Sequence, residues 1–310
     1  MHRQSDKMDE ISVIQTMVDT NSFDKNRLES ILESFKDDIA VIPLLLLKDQ
    51  KILRTRINAD DLFYSVSDLS YPPSNCVNRT DRASLKGHPM FYGSVFTKDG
   101  EKTGCFPRVV SALETLDILK ARHTTQHATF TQSVWLVNEP IHTFAFPVSD
   151  KYKRACSEIN MFRNGWETYC KDRYSKESIR VFSYIGDLMA TPNKSCIYDI
   201  TATCVCFIIN NLGFEGVVYP SVPTEGGGLN ICLSPGTVDK KVDFGGAVSE
   251  VVFRRDMKSE IIPFAESKPV NSSTFVWVVT DEGKKIMKMM GGMFSEVKER
   301  DEVILCPEKK

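Results

Sequence analysis

Residues 196–212 form the segment that most constrains how this chain can fold. They are apolar around the whole circumference of a helix, which predicts a helix buried on all sides. Gly213 follows at once, and glycine readily adopts the left-handed conformation that ends a helix. Residues 216–219 then have the pattern of a short buried strand. The chain must therefore bury a helix and a strand that are joined by a tight turn.

Strands and helices alternate irregularly over the rest of the sequence. No GxGxxG motif opens a helix after the first strand, and there is no Walker phosphate loop, so a doubly wound dinucleotide fold is disfavoured. A mixed α+β domain with a mixed β-sheet core fits the pattern better. The patterns predict strands over 51–57, 89–96, 133–146, 248–253 and 274–279, and helices over 107–119, 149–174 and 282–289.

The first 48 residues are interpreted as a helical N-terminal extension. An amphipathic stretch covers residues 11–18, and a second helix follows, for which Asn21 or Ser22 can supply the N-cap. Residues 49–310 are then the main domain, which ends in a strand and a helix.

Composition narrows the class of protein. The 39 basic and 41 acidic residues give a net charge of -2, so no strong field attracts nucleic acid. Apolar runs are too short to span a membrane, and the N-terminus has no signal peptide, so we expect a soluble, cytoplasmic protein. The nine cysteines contain no CxxC pair, which favours buried free thiols. His123 and His127 lack the Glu of an HExxH site, and no metal is expected.

Two glycine-rich turns beside apolar strands contain most of the candidate binding residues. Ser221 follows a buried strand directly and precedes three glycines and Asn230. Arg82 lies in a polar loop, and Tyr92 follows on the next strand, where its ring can form a wall for a flat ligand. Each side chain also has a structural interpretation, as turn, solvated loop or core.

Three charged side chains complete the candidate set. Arg54 and Arg56 are two apart on a predicted strand, so both lie on one face, either at a solvated edge or as a clamp for a pyrophosphate. Glu114 lies beside the apolar stripe of a predicted helix, either at its margin or facing a pocket. In a pocket, the carboxylate can stabilise positive charge that develops on a sugar.

In this order, these residues resemble the RES domain, a family named for its Arg, Glu and Ser. The resemblance covers roughly residues 50–255. The matching segments are Leu53-Arg54-Thr55-Arg56, residues 67–73, Arg82-Ala83-Ser84, Pro89-Met90-Phe91-Tyr92-Gly93-Ser94, Ala112-Leu113-Glu114, residues 216–221 and Gly228-Leu229-Asn230.

The resemblance implies a fold similar to that of ADP-ribosyltransferases. It also implies an enzyme that consumes NAD as its substrate, without a metal. It implies a growth-inhibiting toxin, a glycohydrolase or phosphorylase that cleaves the nicotinamide–ribose bond. It also implies a cognate antitoxin protein as partner. From the charge and the short apolar runs we expect neither direct contact with nucleic acid nor a membrane. ADP-ribosyl transfer to a macromolecule and a non-catalytic nucleotide- or partner-binding module remain the alternatives.

The resemblance also assigns roles within the candidate set. Catalysis falls to Glu114, Arg54 and Ser221, with Arg56 as the alternative to Arg54 for the family arginine. NAD binding falls to Arg54, Arg56, Arg82, Tyr92, Ser221 and Asn230. Two departures from the family pattern matter: Ser84 stands where the family often has Asn, and a charged insert at 98–102 makes Glu101 the fallback for the acid.

Overall fold

The structure of the protein is a computed structural model. It describes residues 9–58, 61–121, 125–146, 152, 155–191, 195–256, 258–289, 296–299 and 302–305. Within these residues, no helix combines the length and the apolar character that crossing a membrane requires.

Helices and strands are mixed along the whole chain. The α-helices are α1 Glu10–Asp19, α2 Lys25–Ser34, α3 Val66–Leu69, α4 Gly100–Thr103, α5 Pro107–Thr115, α6 Asp117–Lys120, α7 Ser157–Gly165, α8 Lys176–Met189, α9 Ser195–Leu212, α10 Pro235–Lys241 and α11 Asp281–Met289. The strands are β1 Ile42–Leu46, β2 Lys51–Ile57, β3 Phe91–Val95, β4 Thr125–Val137, β5 Ile141–Ala145, β6 Gly216–Pro220, β7 Leu229–Leu233, β8 Val242–Arg255, β9 Lys258–Pro269, β10 Phe275–Val279, β11 Glu296–Glu299 and β12 Glu302–Leu305.

The strands form one mixed sheet, in the order β1-β5-β6-β7-β3-β2-β4-β8-β9-β10-β12-β11. Among the described strands only β5 and β6 pair in parallel. β2 and β3 pair at two positions only, Ile52 with Val95 and Leu53 with Ser94. Beyond that point the two strands separate. The predicted α+β class with a mixed sheet is therefore confirmed.

The sheet buries both of its faces. One face, which we call the α5 face, is covered by α5 and by α1, α2, α8 and α9, whose apolar side chains pack with Phe144, Val217 and Cys232. On the opposite face Ile52, Phe91 and Trp135 belong to a second apolar cluster, which extends to α7 and β10. Helices on one face and an apolar cluster on the other explain why strands such as β6 and β7 are buried throughout.

The apolar segment over 196–212 is a largely buried helix, as predicted, although Asn210 and Asn211 near its end are exposed. Residues 196–212 lie within α9, and Gly213 has a left-handed φ of 74°. α5 begins at Pro107, whose missing N–H is not needed in the first turn of a helix. The prediction for α2 was wrong in its cap: Asp24, rather than Asn21 or Ser22, accepts from the Arg27 N–H at 3.0 Å.

Several predicted segments differ from the structure. The strand expected over 133–146 is divided between β4 and β5, and the helix expected over 107–119 is interrupted between α5 and α6. The helix expected over 149–174 is shorter: within the described residues α7 starts at Ser157 and passes into a π-helical turn at Trp166–Cys170. The first 48 residues contain β1 as well as two helices, and β1 pairs with β5 at the edge of the sheet. Ile14, Leu28 and Leu32 are fully buried, so this segment contributes directly to the core.

Candidate functional site

Four polar side chains lie on the α5 face: the candidate residues Tyr92 and Asn230, and their neighbours Ser94 and Tyr219. Ser94 pairs with Asn230 across β3 and β7, and Asn230 pairs with Tyr219 across β7 and β6. Paired residues of antiparallel strands point to the same side, and Tyr92 is two residues from Ser94. Tyr92, Ser94, Tyr219 and Asn230 therefore share the face onto which α5 packs.

Glu114 reaches this group from α5. The Nδ2 of Asn230 donates to its Oε1 at 2.6 Å, and the Ser94 hydroxyl donates to the Oδ1 of Asn230 at 3.1 Å. Ser94 and Asn230 are buried, whereas Glu114 is half-buried. Among the described residues, Oε2 of Glu114 has no hydrogen-bond partner. One carboxylate oxygen is held in place, and the other is available to a ligand.

Arg82 connects the loop before β3 to the two long helices. Its Nη1 donates to the carbonyl oxygens of Met189 and, at 3.0 Å, Thr191, just where α8 ends. Its Nη2 donates to the Tyr198 hydroxyl of α9 at 3.2 Å, and the guanidinium lies 5.0 Å from the centre of that ring. These contacts fix the guanidinium, and among the described residues Nε and one hydrogen of Nη2 have no acceptor.

Tyr92 supports Arg82 through the backbone. Its hydroxyl donates to the Ser84 Oγ at 2.9 Å and accepts from the Ala83 N–H at 3.2 Å. Burial raises the pKa of Tyr92 well above its ordinary value, so the hydroxyl stays protonated as a donor. The sequence predicted a wall for a flat ring, whereas the hydroxyl holds the turn that carries Arg82.

Arg54 and Arg56 share one face of the sheet, as predicted. That face is opposite to the α5 face. Leu53 pairs with Ser94, so strand alternation places Arg54 and Arg56 away from α5. Arg54 donates to the carbonyl oxygens of Leu69, at 3.0 Å, and Tyr92, at 2.7 Å. Burial lowers its pKa to about 10.

Arg56 has a similar structural use. Its Nη1 donates to the carbonyl oxygen of Asp68, and its guanidinium lies 5.0 Å from the Phe63 ring. The two arginines thus anchor the loop that contains α3, and the structure does not place them on the face that carries Glu114.

Ser221 begins the glycine-rich turn between β6 and β7. The turn is closed by hydrogen bonds from the Ser221 N–H to the Gly228 carbonyl at 2.9 Å and from the Gly226 N–H to the Ser221 carbonyl at 3.0 Å. Gly226 has a left-handed φ of 81°, which a residue with a Cβ rarely adopts. The Ser221 side chain is 0% exposed, yet its Oγ has no partner in the described part of the chain. Such a buried hydroxyl is costly unless something fills its hydrogen-bonding capacity.

Tyr152 is a site residue that the sequence patterns did not indicate. Its ring lies against Gly226, where an added Cβ would come within 2.9 Å of the ring carbons Cγ and Cδ1. Its hydroxyl is buried and has no hydrogen-bond partner among the described residues. Burial raises the pKa of Tyr152; Arg82 lowers it and Glu114 raises it to smaller extents. The sequence patterns place Tyr152 in a predicted helix, so they gave no sign of a role in the site. Only its contact with the turn at Gly226, which the fold creates, reveals that role.

The charged members lie close enough to act on the same groups. Burial raises the pKa of Tyr219 well above its usual range, with further contributions from Glu114, which raises it, and Arg82, which lowers it. Tyr152 responds to the same two charges. We call this group the polar cluster; its members are Arg82, Tyr92, Glu114, Tyr152, Ser221 and Asn230. Counting only partners within the described ranges, it offers one carboxylate oxygen, guanidinium donors and two buried hydroxyls that have no hydrogen-bond partner.

Glu101, the fallback acid, lies elsewhere. It is exposed on α4. The charged insert around it is attached to the start of α7, where the Lys98 N–H donates to Glu158 at 2.8 Å and the Ser157 N–H donates to Asp99 at 3.0 Å. The geometry therefore favours Glu114 over Glu101 as the acid of the polar cluster.

A separate cavity of about 780 Å³ lies along α5. Its lining contains no member of the polar cluster and consists of Leu53, Phe96, Phe106, Pro107, Arg108, Val109, Ala112, Leu113, Leu119, Gln132, Arg254, Ser259 and Ile261.

The positions of the histidine, cysteine and acidic side chains show which metal ligands and thiols the described residues contain. Over the ranges that the structure covers, His, Cys, Asp and Glu side chains do not gather in threes as a metal site requires. His123 lies outside the described residues, and His127 is on β4 rather than on a helix. The described cysteines are free thiols, and Cys156, Cys170, Cys196, Cys204 and Cys232 are buried.

Known proteins offer no further assignment for this arrangement. No protein-family model matches the chain, and a search of curated proteins finds no match.

Proposed function

We propose that this chain is an NAD-degrading enzyme that cleaves the nicotinamide–ribose bond at the polar cluster. The observation that carries the proposal is the arrangement of the Glu114 carboxylate. Asn230 holds one of its oxygens, and the other has no hydrogen-bond partner among the described residues. Glu114 and Arg82 both act electrostatically on Tyr152 and Tyr219. A carboxylate and a guanidinium that act on the same groups, Tyr152 and Tyr219, suit a substrate with an anionic diphosphate and a ribose that becomes cationic.

The proposed chemistry assigns one task to each charge. Breaking the bond to nicotinamide leaves an oxocarbenium-like ribose, and the Glu114 carboxylate stabilises that charge as it forms. The donors of Arg82 that the backbone leaves open bind phosphate oxygens and fix the dinucleotide against the acid. The buried Ser221 and Tyr152 hydroxyls supply hydrogen bonds to ribose or carboxamide, which would satisfy their hydrogen-bonding capacity.

The structure changes what we propose for two of the arginines. Arg54 and Arg56 donate to backbone carbonyls on the opposite face, so we assign them to positioning the strands and loop around the cluster. Phosphate binding then rests on Arg82. The relation of the sheet to the ADP-ribosyltransferase fold, the toxin role and the antitoxin partner belong to the same proposal and rest on the resemblance in sequence.

The test follows nicotinamide released from NAD by the purified protein, with and without phosphate and with and without acceptor protein. Release in the absence of acceptor supports hydrolysis, and dependence on phosphate supports phosphorolysis. Label transferred to protein supports ADP-ribosylation instead. No release in any condition, together with saturable NAD binding, would identify a binding module.

Glu114→Gln tests the acid itself. We expect kcat to fall on the order of 10²-fold while the Kd for NAD changes little, since the charge matters most in the transition state. Glu101→Gln, on an exposed helix, is the matched control and should leave kcat unchanged. A folded Glu114→Gln protein with normal turnover would remove Glu114 from the mechanism.

A further inference from the structure

The cavity along α5 has the size and lining of a small-molecule site. Its volume of about 780 Å³ falls in the range of ligand pockets, and most of the residues that line it are apolar. Two of them are aromatic, and the side chains of Phe96 and Phe106 are 58% and 42% exposed. Exposed apolar side chains grouped around one cavity are typical of a ligand-binding groove.

The charged groups of the lining are engaged by the protein itself. Arg108 donates from Nη2 to Glu250, and its side chain is half-exposed, so water reaches its remaining donors. Arg254 donates to the Ser259 hydroxyl at 2.6 Å and to the Ala121 carbonyl at 2.9 Å. Among the described residues that line the cavity there is no acidic side chain. The lining therefore gives no reason to expect either an anion or a cation.

Gln132 is the uncharged polar side chain that decides what the cavity can recognise. Its two amide hydrogens are both used, because Nε2 donates to the Thr55 hydroxyl at 3.0 Å and to the Arg108 carbonyl at 2.8 Å. A carbonyl oxygen can only accept, so these bonds fix which end of the amide is the nitrogen. The amide oxygen, Oε1, has no hydrogen-bond partner over the ranges that the structure covers.

The free amide oxygen calls for a donor. Gln132 is only 7% exposed, so bulk water has little access to Oε1, and a buried acceptor without a partner is costly. A molecule in the cavity therefore meets a fixed, poorly hydrated acceptor within an apolar lining. An uncharged ligand that carries one O–H or N–H group satisfies this acceptor and buries the rest of its surface against apolar side chains.

We propose that this cavity binds a neutral, flat aromatic molecule that carries one hydroxyl or N–H donor. The rings of the ligand pack among Leu113 and Ile261 and against the exposed rings of Phe96 and Phe106, which thereby leave water. The donor of the ligand bonds to Oε1 of Gln132. The site is separate from the polar cluster and does not depend on NAD cleavage.

The experiment is fluorescence titration of the full chain at neutral pH with pyren-1-ol and with 1-methoxypyrene, which has the same rings but no donor. We expect one pyren-1-ol per protein, with a Kd at least about tenfold below that of the methyl ether, equivalent to about 1.4 kcal/mol. Equal affinities would overturn the requirement for a donor. The absence of saturable pyren-1-ol binding up to about 10 μM would overturn the site.

Gln132→Met identifies the group that meets the donor. Methionine has a similar length but no strong acceptor, so the preference for pyren-1-ol over 1-methoxypyrene should disappear. The ratio of the two affinities is the deciding quantity, since a structural disturbance weakens both ligands alike and leaves the ratio unchanged. An unchanged ratio would remove Gln132 from the site.

Phe96→Ala locates the binding on this cavity. Because Phe96 is largely exposed, its truncation leaves the fold intact, and the loss of the ring should weaken pyren-1-ol binding about fivefold. Met161→Ala makes a similar change at an exposed position of α7, outside the cavity lining, and should bind pyren-1-ol like the unmodified protein. Thermal unfolding checks that the variants fold. Equal pyren-1-ol binding by Phe96→Ala and Met161→Ala would exclude this cavity.

Discussion

The Asn230 side-chain amide donates to Glu114 Oε1 at 2.6 Å and thereby joins the middle of the sheet to α5. The Ser94 hydroxyl donates to the other end of the same amide, which fixes its orientation. Asn230 therefore fixes the position of the Glu114 carboxylate relative to the sheet.

Asn230→Asp would replace that donor with a second carboxylate. Two carboxylates in hydrogen-bonding distance share a proton, and the pKa of one of them rises strongly. We expect the acidic limb of the pH profile of nicotinamide release to move to higher pH by about one unit or more. Asn26→Asp, on the exposed side of α2, should leave the profile in place. A profile identical to that of the unmodified protein would separate Asn230 from the acid.

Arg82→Lys should lower both NAD affinity and stability. Lysine keeps the charge but cannot reach the Met189 and Thr191 carbonyls and Tyr198 at once, because it lacks the planar fork of donors. We expect a loss of about 1–3 kcal/mol in the free energy of unfolding, since carbonyl oxygens at the end of α8 lose their donor. Urea unfolding and NAD titration measure the two effects. Full NAD affinity in Arg82→Lys would show that charge alone serves the phosphates.

Tyr152→Phe distinguishes a ligand-binding hydroxyl from a packing residue. The hydroxyl is buried without a partner among the described residues, so its removal should leave the free energy of unfolding unchanged or raise it by about 1 kcal/mol. Under the proposed function, the same change should raise the KM for NAD. Tyr64→Phe, which removes a hydroxyl outside the polar cluster, is the control and should leave the KM for NAD unchanged. An unchanged KM would confine Tyr152 to packing against Gly226.

Glu250→Gln should stabilise the protein at neutral pH. Burial raises the pKa of Glu250, and Arg108 lowers it by less. A carboxyl whose pKa is higher in the folded state destabilises the fold as it ionises. The unmodified protein should therefore lose stability, relative to Glu250→Gln, as the pH rises from the ordinary Glu value through the raised pKa.

The corresponding measurement is urea unfolding at several pH values. The difference between the two proteins should be largest at pH 7 and close below about pH 4, where Glu250 is protonated in both states. Glu260→Gln, exposed on β9, should show no such difference. A destabilised Glu250→Gln protein at pH 7 would mean that the ion pair with Arg108 outweighs the burial of the carboxylate.

The continuous patterns predicted their elements well. β6 is buried throughout and α9 is buried over most of its surface, so nearly every residue in them carries the same apolar signal, and Gly213 marks the end of the helix. Pro107 similarly fixed the start of α5. These signals are local, and the physical cause of each is contained within a few residues of sequence.

Features that depend on long-range packing could not be predicted in the same way. Alternation indicated that Arg54 and Arg56 share a face, but the face depends on where α5 packs, a contact that sequence spacing does not encode. The N-terminal helices were amphipathic, which fits either an extension or a layer of the core. Tyr152 has no pattern of its own, because its role follows from the left-handed turn at Gly226, which lies far along the chain.

The pairing of β1 with β5 has a consequence for synthesis of the chain on the ribosome. β1 emerges early, but its partner β5 lies at 141–145, and β5 in turn pairs with β6 at 216–220. The apolar faces of α1 and α2 are likewise covered only after α9 has been synthesised. The nascent N-terminal segment therefore carries an unpaired strand until β5 has emerged and exposed apolar side chains until α9 has emerged, a period in which a holding chaperone would be of most use.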